Sequence, residues 1–192
     1  MGARFLVLAL VCAGLFGQEA KPLIDNERVT VWDVMPAKGE THPPREQDSV
    51  VLWIAGERAR TAAFVPKGKE GPKGAGRLLV IELKDHPVAA IENKSGYPLA
   101  FPRPHVKKLL ENERVIAWSY RWNPGEPTPV HFHDKDVVVV YLEDTALTST
   151  TTDGKKTLND YKAFDVRFNK RDRVHTELLE HGTGSAMMVE LK

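Results

Sequence analysis

The chain has 192 residues, 42% of them hydrophobic and 28% charged, with a formal net charge of +1 at neutral pH. That balance describes a soluble globular protein with enough apolar material for one or two small cores. Near-neutral charge without long basic runs argues against nucleic acid as the main partner, and the isolated pairs Lys107-Lys108 and Lys155-Lys156 read as solvated loop charge.

Residues 1–20 read as an export signal. Arg4 supplies a positive start, and residues 5–16 form an apolar stretch containing Cys12. A dozen apolar residues are too few to span a bilayer and suit a signal-peptide core. Cleavage is expected after Gly17 or Ala20, giving a periplasmic or secreted protein. A lipid anchor on Cys12 and an uncleaved helix are the lesser alternatives, the first because Val11 before it is larger than that signal usually tolerates. No second apolar run of spanning length follows, so no stable membrane insertion is expected after cleavage. Cys12 is the sole cysteine. The mature chain therefore has no disulfide, thiolate ligand or cysteine nucleophile.

Beyond the signal, an internal repeat organises the sequence. The segment 25–32, ending at Trp32, resembles 111–118, ending at Trp118, an offset of 86 (118 − 32) that also carries Gly39 onto Gly125. Segment 74–84 resembles 182–192 at an offset of 108 (192 − 84), so the second copy has the longer middle. The break falls in 93–105, where prolines and a glycine suit an extended linker. The expected units are residues 21–105 and 106–192.

The texture of both copies is β. In the first, strands are predicted over 29–35, 50–54, 60–65 and 78–83. In the second they are predicted over 115–122, 137–142, 146–152, 164–168, 174–179 and 186–191, with a hairpin turning in two residues at Asp153-Gly154. Trp118, Tyr120 and Trp122 share one face of their strand. No stretch has helical periodicity, and many short strands at regular spacing indicate a sandwich or barrel.

His131 and His133 alternate on a strand and point to one side, and His175 arrives from another strand. Three imidazoles on one point suit a divalent metal without naming it. With Gly125 they resemble the first motif of the cupin superfamily, a glycine followed after five residues by His-x-His, and His175 fits the third histidine of the second motif. The motif's glutamate falls at Val137 or Val138, a departure from the pattern, and the usual turn of the second motif is degraded at 170–172. In the first copy Arg45, Gln47 and Gly71 stand where the three histidines would be.

The resemblance implies an all-β protein of two tandem jelly-roll barrels, the first degenerate and the second holding iron, zinc, manganese or nickel. It leaves two functions open. One is a small-molecule metalloenzyme of dioxygenase, isomerase or hydrolase type; the other is a non-catalytic module binding a small ligand or a metal. A small-molecule ligand and a homodimer are the expected partners. Asp136 is the candidate fourth ligand, with a solvated turn residue as the plainer reading. Glu177, on the strand face of Arg173 and His175, is the candidate catalytic base, with a rim carboxylate paired to Arg173 as the alternative. Tyr141 and Trp118 read as core, Arg121 as a surface arginine, and His42, His86, His105 and His181 as loop bystanders.

Overall fold

The computed structural model describes residues 21–86 and 88–192, so the expected export signal lies outside the described residues. Among the described residues there are fourteen strands and no helix. The N-terminal half contributes β1 (Ile24–Asp25), β2 (Val29–Val34), β3 (Ser49–Ala55), β4 (Thr61–Val65) and β5 (Arg77–Leu83). The remainder supplies β6 (Val106–Glu111), β7 (Val115–Arg121), β8 (His131–His133), β9 (Asp136–Tyr141) and β10 (Thr145–Thr151). It ends with β11 (Lys156–Tyr161), β12 (Val166–Asn169), β13 (Arg173–Gly182) and β14 (Ser185–Leu191).

These strands form three antiparallel sheets. Strands 1-2-5-3-4 make the first, 12-9-14-7-6 the second and 11-10-13-8 the third. Sheets two and three face each other as the two walls of a jelly roll. Between them lie Trp118, Tyr120, Trp122, Val139, Leu147 and Met188, the aromatic face of β7 among them. The first sheet packs on the back of the second, pressing Val29, Leu52 and Ile81 against Val138, Val140 and Val189. Sheet two is therefore the middle of three layers, and its central strands are buried on both faces. That is why 137–140 is an unbroken valine run instead of an alternating one.

The N-terminal half differs from the expected closed barrel. Its strands make one sheet, and the wall that would close it is reduced to loops with a single bridge, Thr41 to Lys73. Those loops carry Pro36, Pro43, Pro44, Pro66 and Pro72, which cannot donate to a ladder. They still cover the sheet: Trp53 is fully buried, and a Cβ on Gly74 would come within 2.8 Å of its indole nitrogen. The hairpin at 151–155 also differs, because Thr151 N donates to Lys155 O across three residues, with Gly154 at φ +83°. A three-residue turn with a left-handed glycine fits the twist of the strands better than the expected two-residue one.

The sequence repeat has a structural counterpart. Asn26 Oδ1 accepts from the N–H groups of Arg28 and Val29, and Asn112 Oδ1 accepts from those of Arg114 and Val115. The arginines that follow reach across to the opposite half. Arg28 binds Asp136 at 2.8 Å and the Lys192 carbonyl at 3.2 Å, while Arg114 binds Asp48 at 2.9 Å and the Lys84 carbonyl at 3.1 Å. Each half thus clasps the other through equivalent groups, the reciprocity of a two-fold interface.

Candidate metal centre

The site is built where β8 pairs with β13. His175 lies opposite His131 and Arg173 opposite His133, so both histidines of β8 and the one of β13 turn into the barrel. The short β8 is held on its other side by the linker: Phe132 N donates to Pro98 O and Ala100 N to Phe132 O, both at 2.8 Å. Gly125, at φ +73°, turns the chain into this strand in a conformation that favours glycine.

The three imidazoles are 2%, 7% and 7% exposed for His131, His133 and His175. His133 Nε2 lies 3.2 Å from His131 Nε2 and 3.0 Å from His175 Nε2. Ligand nitrogens around a zinc- or iron-type ion at about 2.0–2.2 Å stand at this kind of separation. His131 Nδ1–H donates to the Pro129 carbonyl at 2.7 Å, which leaves its Nε2 lone pair pointing at the shared centre. His175 Nδ1 is 3.0 Å from Ser149 Oγ. Burial, reinforced by the Arg103 guanidinium, pushes His131 down to about 4. Burial likewise pushes His133 and His175 below the ordinary value, with Arg173 adding to it at His133. Neutral imidazoles with converging lone pairs fit a divalent metal, and no other His, Cys, Asp or Glu among the described residues joins the cluster.

Glu177 sits beside this point without being a ligand. Its Oε2 accepts from Trp122 Nε1 at 3.1 Å and faces the Arg103 guanidinium at 3.6 Å. Burial pushes its carboxyl up, but His175, Arg103 and His131 together hold it below its ordinary value. Its partner is thus Arg103, not the Arg173 of the alternative reading. Arg103 comes from the linker, stacks 4.2 Å above Tyr120 and also places Nη1 3.0 Å from His131 Nε2. Sequence reasoning missed Arg103; a proline-flanked linker arginine carries no motif, and only the fold brings it beneath β7. A cavity of about 170 Å³ opens next to the histidines, with Arg103, Arg173, Asn159 and Glu177 among its polar walls.

Asp136 is not a fourth ligand. Residues Val137, Val139 and Tyr141 of β9 face the cavity, so Asp136 faces the other way with Val138. Its carboxylate accepts from Arg28 and from Arg171 N, at 2.8 and 2.9 Å. Where the cupin motif has its glutamate, the inner face here carries Val137. Trp118 is core, stacked on Phe101, and Tyr141 both stacks on Tyr161 and lines the cavity. Arg121 is exposed, as expected. His86 and His105 are loop residues, whereas His181 lies in β13. His42 is buried: a Cβ on Gly71 would meet its Cβ at 2.7 Å, and Arg45 donates to its Nε2 at 3.3 Å. His42 and Arg45 thus fill the ground where the first copy's metal site would stand.

With its paired sheets and inward histidine cluster, the chain has the cupin fold. No protein-family model matches the sequence, and no curated protein matches it. Solved structures do. A deletion mutant of oxalate decarboxylase from Bacillus subtilis is 12% identical with a TM-score of 0.54, covering 86% of this chain and 68% of that one. A second oxalate decarboxylase structure is 13% identical with a TM-score of 0.50 over the same shares. A cupin domain from Bordetella pertussis is 24% identical with a TM-score of 0.43, covering 47% of this chain and 97% of the domain. These likenesses concern the fold.

Proposed function

We propose that this is an exported, duplicated cupin whose C-terminal barrel holds one divalent metal through His131, His133 and His175 and uses it on a small molecule. The observation that carries the reading is the convergence of three buried Nε2 atoms beside a cavity. When bound, the metal would polarise a substrate oxygen or activate water or dioxygen at its open positions. The chain's own residues supply the rest. Glu177 lies close enough to move a proton at the cavity wall, Trp122 Nε1–H fixes its Oε2, and Ser149 orients His175.

A specific observation favours a second reading, a non-catalytic binding module. Val137 replaces the glutamate, and Glu177 is already engaged by Arg103 and Trp122. Metal analysis of protein purified without an affinity tag should find about one ion per chain, and none in His133→Ala or His175→Ala. An oxygen-uptake and hydrolysis screen on the loaded protein then divides the two readings. If turnover is found, Glu177→Gln should abolish it with metal content intact; unchanged turnover would remove Glu177 as the proton carrier.

A further inference from the structure

The cavity beside the histidines contains a cation, Arg173, that no carboxylate contacts directly. Arg28, Arg45, Arg77, Arg103 and Arg114 each face a carboxylate. Arg173 does not. It is partly buried against the cavity, and its hydrogen bond runs from Nε to the Lys170 carbonyl at 2.7 Å. Among the described residues its Nη hydrogens meet no carboxylate; Glu177, the acid whose charge acts on it, is itself held by Arg103 and Trp122. A guanidinium withdrawn from water is costly unless an anion answers it, and its fixed fork matches a planar carboxylate in two parallel hydrogen bonds.

The rest of the wall narrows the choice of anion. Val137, Val139, Leu147 and Met188 make an aliphatic side, and the amides of Asn159 and Asn169 line another part. Sulfate or phosphate would leave the aliphatic side unmatched, while an organic acid places carbon there. A volume of about 170 Å³ is well below the roughly 300–1,000 Å³ of drug-sized pockets. We propose that the cavity takes a small organic acid, its carboxylate on Arg173, its carbon body on the aliphatic wall and its other end toward the histidines. The last of these placements rests on the metal reading above; the Arg173 contact does not.

The test is calorimetric titration of the full chain with propionate, pyruvate and malonate, against propionamide and sulfate as controls. At least one carboxylate should bind, and the neutral amide and sulfate should bind at least about tenfold more weakly. Arg173→Gln should lose about tenfold or more for the carboxylate while metal content stays unchanged. Arg173→Lys, which keeps the charge but not the fork, should fall between the two and guards against a folding defect in the glutamine variant. Unchanged carboxylate affinity in Arg173→Gln, equal binding of propionamide or sulfate, or no binding of any of the three acids would overturn the proposal. Repeating the titration on His133→Ala separates it from the metal reading. Carboxylate binding that survives there in a protein that never held metal keeps this inference and sinks the other. A metal-loaded protein that ignores all three acids does the reverse.

Discussion

Arg103 is where competing demands meet on one side chain. It donates toward His131 Nε2 at 3.0 Å, the lone pair a metal would need, and its alternative acceptor is Glu177 at 3.6 Å. Metal binding must displace the first contact. Arg103→Met keeps a long apolar stem over Tyr120 and Phe101 but removes the donor. A charge-assisted hydrogen bond is worth about 1.5–3 kcal/mol net, so the variant should bind metal roughly ten- to a hundredfold more tightly in a chelator competition. Glu190 gives a prediction in pH. It faces the barrel interior and accepts from Trp118 Nε1 at 2.8 Å. Burial raises its carboxyl above the ordinary value, against the opposing pull of that hydrogen bond. A carboxyl with a raised folded value binds its proton more tightly folded than unfolded. Stability from this group is therefore full at low pH and declines as pH climbs from the unfolded value through the folded one. Glu190→Gln keeps an acceptor for Trp118 and cannot ionise, so it should be more stable than the parent at pH 7 and lose that advantage near pH 4, by urea unfolding. The three histidines were legible because a strand's alternation fixes their common side. Glu177's closeness was legible for the same reason, but Asp136, on the face of Val138, was misplaced because an unbroken valine run does not say which parity faces the cavity.

At the scale of elements, the reciprocal clasp explains what Asp136 does instead. Arg28 and Asp136 are both nearly buried, whereas Arg114 and Asp48 keep about a quarter of their side chains in water. Removing one partner of a buried pair strands a charge at a cost of about 3–5 kcal/mol. Exposed pairs contribute about 0–1 kcal/mol. Asp136→Ala should therefore destabilise the protein several times more than Asp48→Ala in equilibrium denaturation, with metal content unchanged in both. Loss of metal in Asp136→Ala at full stability would restore it as a ligand. Strand positions were largely readable from alternation and turn residues. β6 was not, because its Lys-Lys-Leu-Leu core has no period of two. β1 was missed because two residues carry no period at all. The unclosed first barrel was also hidden, since a strand's pattern reports which faces are buried but not whether a sheet or a loop buries them.

For the whole molecule, the decisive surface is the back of sheet two. Val115, Ala117, Val138, Val140, Met187, Val189 and Leu191 are buried there only because the N-terminal sheet lies on them. A continuous apolar face of that kind does not stay exposed on a soluble monomer. The clasp is reciprocal, so the face is already shaped for a partner related by a two-fold axis, and the first copy occupies the place a second subunit would take. A protein comprising residues 97–192 alone keeps sheets two and three, the linker segment bonded to β8 and all three histidines. It should therefore pair with itself through the vacated face, running as a dimer by light scattering and holding two metal ions per dimer. Asp136 has lost Arg28 in that fragment, but Arg114 of the other subunit can reach it across the axis. Arg114→Ala should consequently weaken this dimer far more than it weakens the full chain. Supplying residues 21–96 in trans should convert the dimer into a one-to-one complex with one metal. A fragment that remains monomeric and folded would show that the back of sheet two does not need cover, and the pseudo-dimer account would fail with it.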